Sequence, residues 1–203
     1  MNALATRVTG FFREEHDFAQ LTERVRAMPR RATPVKLWSC ACSTGEEPYS
    51  AAMVLREVGC AGEILATDAE PEALAAARRG IYALEAAEKL GEERLRRHFF
   101  MRGEREGGAA ALVRTELRAM VRFEQRNLLD PDWRPVERFD FVFCRNVMIY
   151  FDRAGQRRLL DRLAAVIAPD GLLFLGHAEA SALGHPSFVP CGKTAYLRCG
   201  PDP

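Results

Sequence analysis

VKLWSCACSTGEEPYSAAMVLREVGCAGEILATD, residues 35–68, decides the fold of this chain. It opens on an apolar run from Val35 to Ala41 and breaks in the turn-rich cluster CSTGEEP (42–48). The next segment, YSAAMVLREV (49–58), has helical spacing and ends near Gly59, and EILATD (63–68) reads as a second short strand. Strand, loop, helix, strand is the repeating unit of a parallel sheet with helical crossovers.

Working downstream, the pattern predicts a helix from about Glu70 to Arg79 that stops at Gly80. Residues 83–122 break the rhythm: they are charged and glycine-containing, and read as an insertion, partly helical and then a small antiparallel hairpin. The α/β rhythm returns with MVRFEQRNLL (120–129), a strand running into a loop, and with the strongly apolar strand FDFVFCRN (139–146). In 152–171 the positions Leu159, Leu160, Leu163, Val166 and Ile167 fall on one helix face. Pro169 and Gly171 close that helix, GLLFLGH (171–177) is the next buried strand, and TAYLRC (194–199) the last. Upstream, the first thirty residues read as one or two helices joined to the sheet by MPRRATP (28–34). One α/β domain over 1–203 with a small insertion accounts for the chain.

With 48% apolar residues, 28% charged and a net charge of +1, the composition is that of an ordinary globular protein without a nucleic-acid footprint. No apolar run approaches the roughly 18 residues that span a bilayer. MNALATRVTGFFREEHDF (1–18) carries charges where a secretory signal has an apolar core, so a cytoplasmic location and no membrane insertion are expected. The six cysteines (40, 42, 60, 144, 191 and 199) include no CxxC pair and no matching histidine spacing, so the expectation is small buried thiols and no metal site. Gly192-Lys193-Thr194 lacks the upstream glycine of a phosphate loop, and His177-Ala178-Glu179 lacks the second cysteine of a zinc deaminase. His177 is expected as a polar group at a strand end, and the Arg78-Arg79, Arg96-Arg97 and Arg157-Arg158 pairs as solvated helix faces.

In an open parallel sheet ligands bind beyond the carboxyl ends of the strands, where the winding reverses. The loops at that edge carry STGEE, TDAE, NLL and CRNVMIY. A dinucleotide loop uses several glycines to bring backbone to a pyrophosphate; here Ser43–Pro48 has one glycine and two carboxylates. Carboxylates at a helix head complement the helix dipole but repel phosphate. The loop therefore argues against NAD and ATP and permits S-adenosylmethionine, which has a sulfonium, an amino group and no phosphate. Asp68, about twenty positions past that loop, is placed to accept hydrogen bonds from ribose hydroxyls, although an aspartate after a strand also serves as a helix N-cap. Tyr150, following an apolar strand, reads on its own as a core aromatic.

The quoted segments, together with VTGFFRE (8–14), FEQRNLLD (123–130), FDFVFCRNVMIYFDRAGQ (139–156) and PDGLLFLGHAE (169–179), resemble the CheR-type chemotaxis receptor glutamate methyltransferases over about residues 6–199. The resemblance implies a doubly wound, mostly parallel Rossmann-like class I methyltransferase sheet with a small β-subdomain at 83–122 and an N-terminal helical segment, 1–34, that contributes to the cofactor site. It implies S-adenosylmethionine as methyl donor, S-adenosylhomocysteine as product, and the cytoplasmic helical region of a receptor as partner. It places cofactor contacts on Thr9, Arg13, Glu47, Asp68, Asn127, Leu128, Cys144 and Arg145, and Tyr150 beside the transferable methyl group. Arg13 and Tyr150 are its catalytic candidates.

Two departures accompany the match. Arg7 stands where the family usually has asparagine, and the chain starts almost at the TxFFR segment, without the helical domain implicated in receptor docking. The expectation is that a longer protein or a separate subunit supplies that docking. The rival readings are a cofactor-binding regulatory module and a methyltransferase acting on another carboxylate.

Overall fold

The computed structural model describes residues 9–29, 31–105, 108–130, 137–180 and 184–200. Arg7, whose departure from the family pattern is noted above, lies outside them. In chain order the elements are α1 (Glu15–Ala27), β1 (Val35–Ser39), α2 (Glu46–Glu57), β2 (Gly62–Asp68), α3 (Pro71–Arg79), β3 (Ile81–Ala83), α4 (Leu84–Glu88), α5 (Glu92–His98), β4 (Phe99–Arg105) and β5 (Gly108–Val113). They continue with α6 (Thr115–Arg118), β6 (Val121–Gln125), β7 (Phe139–Cys144), a 3-10 turn (Met148–Tyr150), α7 (Arg153–Val166), β8 (Ile167–Leu175), α8 (His177–Ala180), β9 (Phe188–Pro190) and β10 (Ala195–Arg198).

Seven strands form the main sheet in the order β6-β2-β1-β7-β8-β10-β9. The first five are mutually parallel, β10 is antiparallel to β8, and β9 is antiparallel to β10. The chain winds outward from β1 to β2 and β6, then returns to lay β7 on the other side of β1. The winding therefore reverses between β1 and β7, where Leu37, Trp38 and Ser39 pair with Phe141, Val142 and Phe143. Successive side chains of a strand point to opposite faces. Leu37, Phe141, Phe143 and Phe174 thus join one core cluster with Phe18 and Leu21 of α1 and with Met53 and Leu55 of α2. Trp38, Val142, Leu173 and Leu175 join the other, with Leu159, Leu160 and Leu163 of α7. Both faces of the sheet are covered, as the near-continuous apolar strands require.

Local chemistry sets the boundaries. Proline opens α3 and Gly80, at φ 61°, closes it. Asp152 caps α7 by accepting from the Gly155 amide at 2.6 Å. β8 begins four residues before Gly171 and takes in Pro169 at a register shift, with Asp170 at φ 62°. A bulge tolerates the missing proline donor, which is why the strand extends past a residue expected to lie outside it. β9 pairs with β10 at the sheet edge and has no counterpart in the sequence reading; three residues carry too little periodicity to be seen.

The insertion is a three-stranded antiparallel sheet, β3-β5-β4, with α4 and α5. Val121 and Arg122 belong instead to β6, paired in parallel with Ile64 and Leu65. The small sheet is pinned to the main body by Glu57, at the end of α2. Glu57 accepts from Arg94 Nε and Nη2, both at 2.9 Å, and lies 3.2 Å from His98 Nε2. Burial alone would push this carboxyl up, but the hydrogen bonds from His98 and Arg94 outweigh it and hold it at about 2. A depressed folded value stabilises the fold fully above the ordinary 4.5, and that contribution is lost as pH falls toward 2. Glu57→Gln is therefore expected to lower stability by about 2 kcal/mol at neutral pH. The deficit should shrink on acidification below pH 4.5, read by chemical denaturation across pH.

The cysteines depart from expectation. Cys40, Cys42 and Cys144 are buried, but Cys60 and Cys199 are half-buried and Cys191 is exposed, all as free thiols. His177 is exposed, directly after β8.

Candidate active site

A cavity of about 440 Å³ opens at the switch point. Its wall is built by the segment entering α1 (Thr9, Gly10, Arg13), the loop after β1 (Cys42, Ser43), the first turn of α2 (Glu47), the end of β2 and the residues after it (Asp68, Glu70) and the loop after β7 (Arg145, Val147, Tyr150). Its size is that of a small-molecule site.

The loop after β1 is held by its own turn chemistry. Ser43 and Gly45 adopt φ 49° and 97°. A Cβ on Gly45 would stand 2.8 Å from Ala77 Cβ and 3.0 Å from the Tyr82 hydroxyl, so glycine is required for both conformation and space. Tyr82, from the small sheet, donates to the Thr44 carbonyl at 2.7 Å. Asp68 accepts from the Ser43 amide at 2.8 Å through one oxygen and from the Glu70 amide at 3.0 Å through the other. The aspartate thus fixes this loop and still has a lone pair on each oxygen for a ligand. Glu46 accepts the Thr44 hydroxyl at 2.7 Å and that of Thr9 at 3.5 Å. Glu47 accepts the Ser39 hydroxyl at 2.7 Å. Burial pushes both glutamates upward.

Arg145 is the hub. With 2% side-chain exposure, its guanidinium stands 3.1 Å from Glu47, 3.0 Å from Asp17 and 3.4 Å from Glu14, and donates to the Arg13 carbonyl. One cation thus gathers three carboxylates from α2, α1 and the turn before α1. Burial pushes Asp17 up, against the pull of Thr194 and Arg145. Glu14 and His16 bring ligand atoms near Asp17, a spacing that a metal could use, but Arg145 already occupies both carboxylates.

Six of the sequence-predicted residues, Thr9, Arg13, Glu47, Asp68, Arg145 and Tyr150, meet at this cavity. Tyr150 is 56% exposed and not a core aromatic. Because the chain leaves β7 through residues 145–147 into a 3-10 turn, the ring stays at the cavity wall instead of following the strand inward. Asn127, Leu128 and Cys144 stand outside the lining. Asn127 turns its side-chain oxygen onto the Leu129 amide at 3.0 Å, while Leu128 and Cys144 pack in the core cluster under α7. Their segment still borders the site, since the Arg126 amide donates to the Asp68 carbonyl at 2.9 Å.

Sequence reasoning missed Glu179. Its buried carboxylate accepts four backbone amides: Gly176, Asn146, Val147 and Met148, at 2.7–2.8 Å. These bonds shape the loop that carries Tyr150. Gly176 allows the approach, since a Cβ there would stand 2.8 Å from the Glu179 carboxylate. The available signal was an acid placed just after a buried strand. Asp17 was missed because a charged residue in a helix reads as solvated.

The donor set fits S-adenosylmethionine. Glu47, Asp68 and Glu70 line the wall, Ser43 Oγ is buried there without a partner among the described residues, and no cluster of backbone glycines cradles a phosphate. Carboxylate excess favours a ligand with cationic centres.

Comparison with known proteins agrees with this geometry. The family described as "CheR methyltransferase, SAM binding domain" matches residues 7–196. "Chemotaxis protein methyltransferase 2" of Pseudomonas aeruginosa is 42% identical over 200 residues, covering 97% of this chain and 71% of the relative. The chemotaxis protein methyltransferase of Salmonella typhimurium is likewise 42% identical, over 97% of this chain and 68% of the relative. In fold, the chain is similar to the citrinin polyketide synthase CMeT domain, with a TM-score of 0.52 and 18% identity over 79% of this chain and 33% of that one. No described helix is long and apolar enough to cross a membrane. A switch-point cavity rich in carboxylates and a family match spanning nearly the whole chain lead to one assignment: this protein is an S-adenosylmethionine-dependent methyltransferase and belongs to the CheR methyltransferase family.

Proposed function

We propose that the chain methylates glutamate side chains in the cytoplasmic helical region of a chemotaxis-type receptor. The names of its relatives support a chemotaxis role, and the meeting of Arg13, Glu47, Asp68 and Tyr150 at one cavity carries the catalytic reading. A cytoplasmic location follows from that substrate.

S-adenosylmethionine supplies an electrophilic methyl group: the sulfur–methyl bond breaks, a carboxylate oxygen–methyl bond forms, and S-adenosylhomocysteine leaves. A glutamate carboxylate with a pKa around 4.3 is already ionised at neutral pH, so no general base is required. The chain's contribution is alignment of two reactants. Asp68 would hold the ribose hydroxyls, and Glu47 and Thr9 would hold the amino-acid portion. Arg145 lines the wall, and Asn127, Leu128 and Cys144 would support it from behind. Arg13 would orient the incoming carboxylate by charge-assisted hydrogen bonds, and the Tyr150 ring at the cavity wall would offer a cation–π face to the sulfonium.

Radiolabelled S-adenosylmethionine incubated with receptor-bearing membranes is expected to give base-labile methyl ester on the receptor. Arg13→Ala should lower kcat/KM about 100-fold, the size of losing one preorganised charged contact. Cofactor binding by calorimetry without transfer to any receptor would sink the receptor reading and leave a regulatory module or a different carboxylate acceptor.

A further inference from the structure

A second groove, of about 470 Å³, lies between α3, α6 and the edge strand β6, lined by Tyr49, Arg78, Thr115, Arg118 and Phe123. The cations in its lining are Arg78 and Arg118. Arg118 donates to the Arg78 carbonyl at 3.1 Å, Arg114 precedes Arg118 by one helical turn, and Arg114 donates to the Arg96 carbonyl at 3.2 Å. Arg78 is held by the Phe123 carbonyl at 2.9 Å. Main-chain oxygens thus position these guanidiniums, and no carboxylate among the described residues forms an ion pair with Arg78, Arg96, Arg114 or Arg118. Glu116, on the same short helix, is exposed and makes no ion pair with them. Arg114 Nε is buried without a hydrogen-bond partner, while its guanidinium lies 4.1 Å over the Phe100 ring.

Like charges one turn apart are mutually unfavourable. Some arginines elsewhere are paired with carboxylates, as Arg94 is with Glu57 and Arg145 with Glu47. An un-neutralised row of planar forks matches carboxylates arriving from outside. We propose that this groove docks the acidic helix that bears the acceptor glutamate, seating its neighbouring carboxylates on Arg78 and Arg118. This rests on the receptor reading above. α3 connects the two sites: Ala73 in its first turn lines the methyl-transfer cavity and Arg78 in its last lines the groove. Five residues of helix span about 7.5 Å, so a helical acceptor with one glutamate in the cavity brings side chains one to two turns away onto the arginines.

The test is methyl transfer to receptor-bearing membranes by the double variant Arg78→Glu/Arg118→Glu, with calorimetry for S-adenosylmethionine and a thermal midpoint alongside. The receptor KM is expected to rise about tenfold and to lose most of its salt dependence, with kcat and cofactor affinity unchanged. If the double variant is poorly folded, Arg118→Ala is read for the same KM change. An unchanged KM in a folded variant, while the unsubstituted protein methylates receptor normally, overturns the proposal. If the unsubstituted protein labels no receptor, the receptor reading has failed instead. The groove is then judged by fluorescence anisotropy with a glutamate-rich synthetic helix and its glutamine counterpart. Binding of the first alone, abolished in the variant, supports the docking role, and equal binding by both proteins overturns it.

Discussion

Arg145→Met is expected to lower folding stability by about 3–5 kcal/mol, because it leaves buried carboxylates without their cation. For a chain of this size that corresponds to a fall in Tm of roughly 10 °C. Asp17, Glu14 and Glu47 all face that guanidinium, and burial already pushes Asp17 and Glu47 upward. Without Arg145 they rise further. A carboxyl whose folded value is raised binds its proton more readily in the folded state, so it favours folding at low pH and disfavours it as pH rises through that value. The Tm gap between the two proteins should therefore be wider at pH 8 than at pH 5, and a gap independent of pH would refute the charge-hub account. Lysine is not expected to rescue the variant, since a point charge cannot span three acceptors as the fork does. Because Arg145 also ties the Arg13 carbonyl and α1 to the cavity wall, cofactor affinity should fall with stability.

Glu179→Gln is expected to lower kcat about 100-fold, the effect of a misplacement near 1 Å at the reacting centre. The carboxylate accepts four amides; a glutamine presents one oxygen, and its own amide hydrogens then confront backbone N–H groups. The loop 146–150 must shift, taking Tyr150 with it, while Asp68 and the loop after β1 remain anchored to each other. Affinity for S-adenosylmethionine by calorimetry should change by no more than roughly threefold, since the loss falls on transition-state alignment and not on ground-state binding. Equal losses in affinity and in kcat would mean that Glu179 supports the whole wall and not the tyrosine loop in particular.

These two residues show where sequence reading stops. The βαβ unit at 35–68 was legible because strand and helix periods are local, repeating every two or 3.6 residues along the chain. The loops of the sheet edge were legible for the same reason: once the strands are placed, their ends are placed. Asp68 could be named from its position, and its anchoring of Ser43 follows from two neighbouring strand ends in one parallel sheet. The three-stranded insertion was seen only as a break in rhythm, since Ile81–Ala83 is short and pairs with a strand some thirty residues on.

By itself, then, the sequence determined the parallel sheet, its switch point, the carboxylate-rich loops and, through the family's motifs, the methyl donor. Tertiary structure alone decided what the charges do. Arg145 and Glu47 are 98 positions apart, and Glu179 stands more than 30 from three of the four amides it receives. No local pattern records a partner at that distance. Burying a charge is costly unless it is paired, so each buried ion had to find its partner through the packed fold. That pairing turns a row of motif residues into a wall with Tyr150 exposed at the cavity.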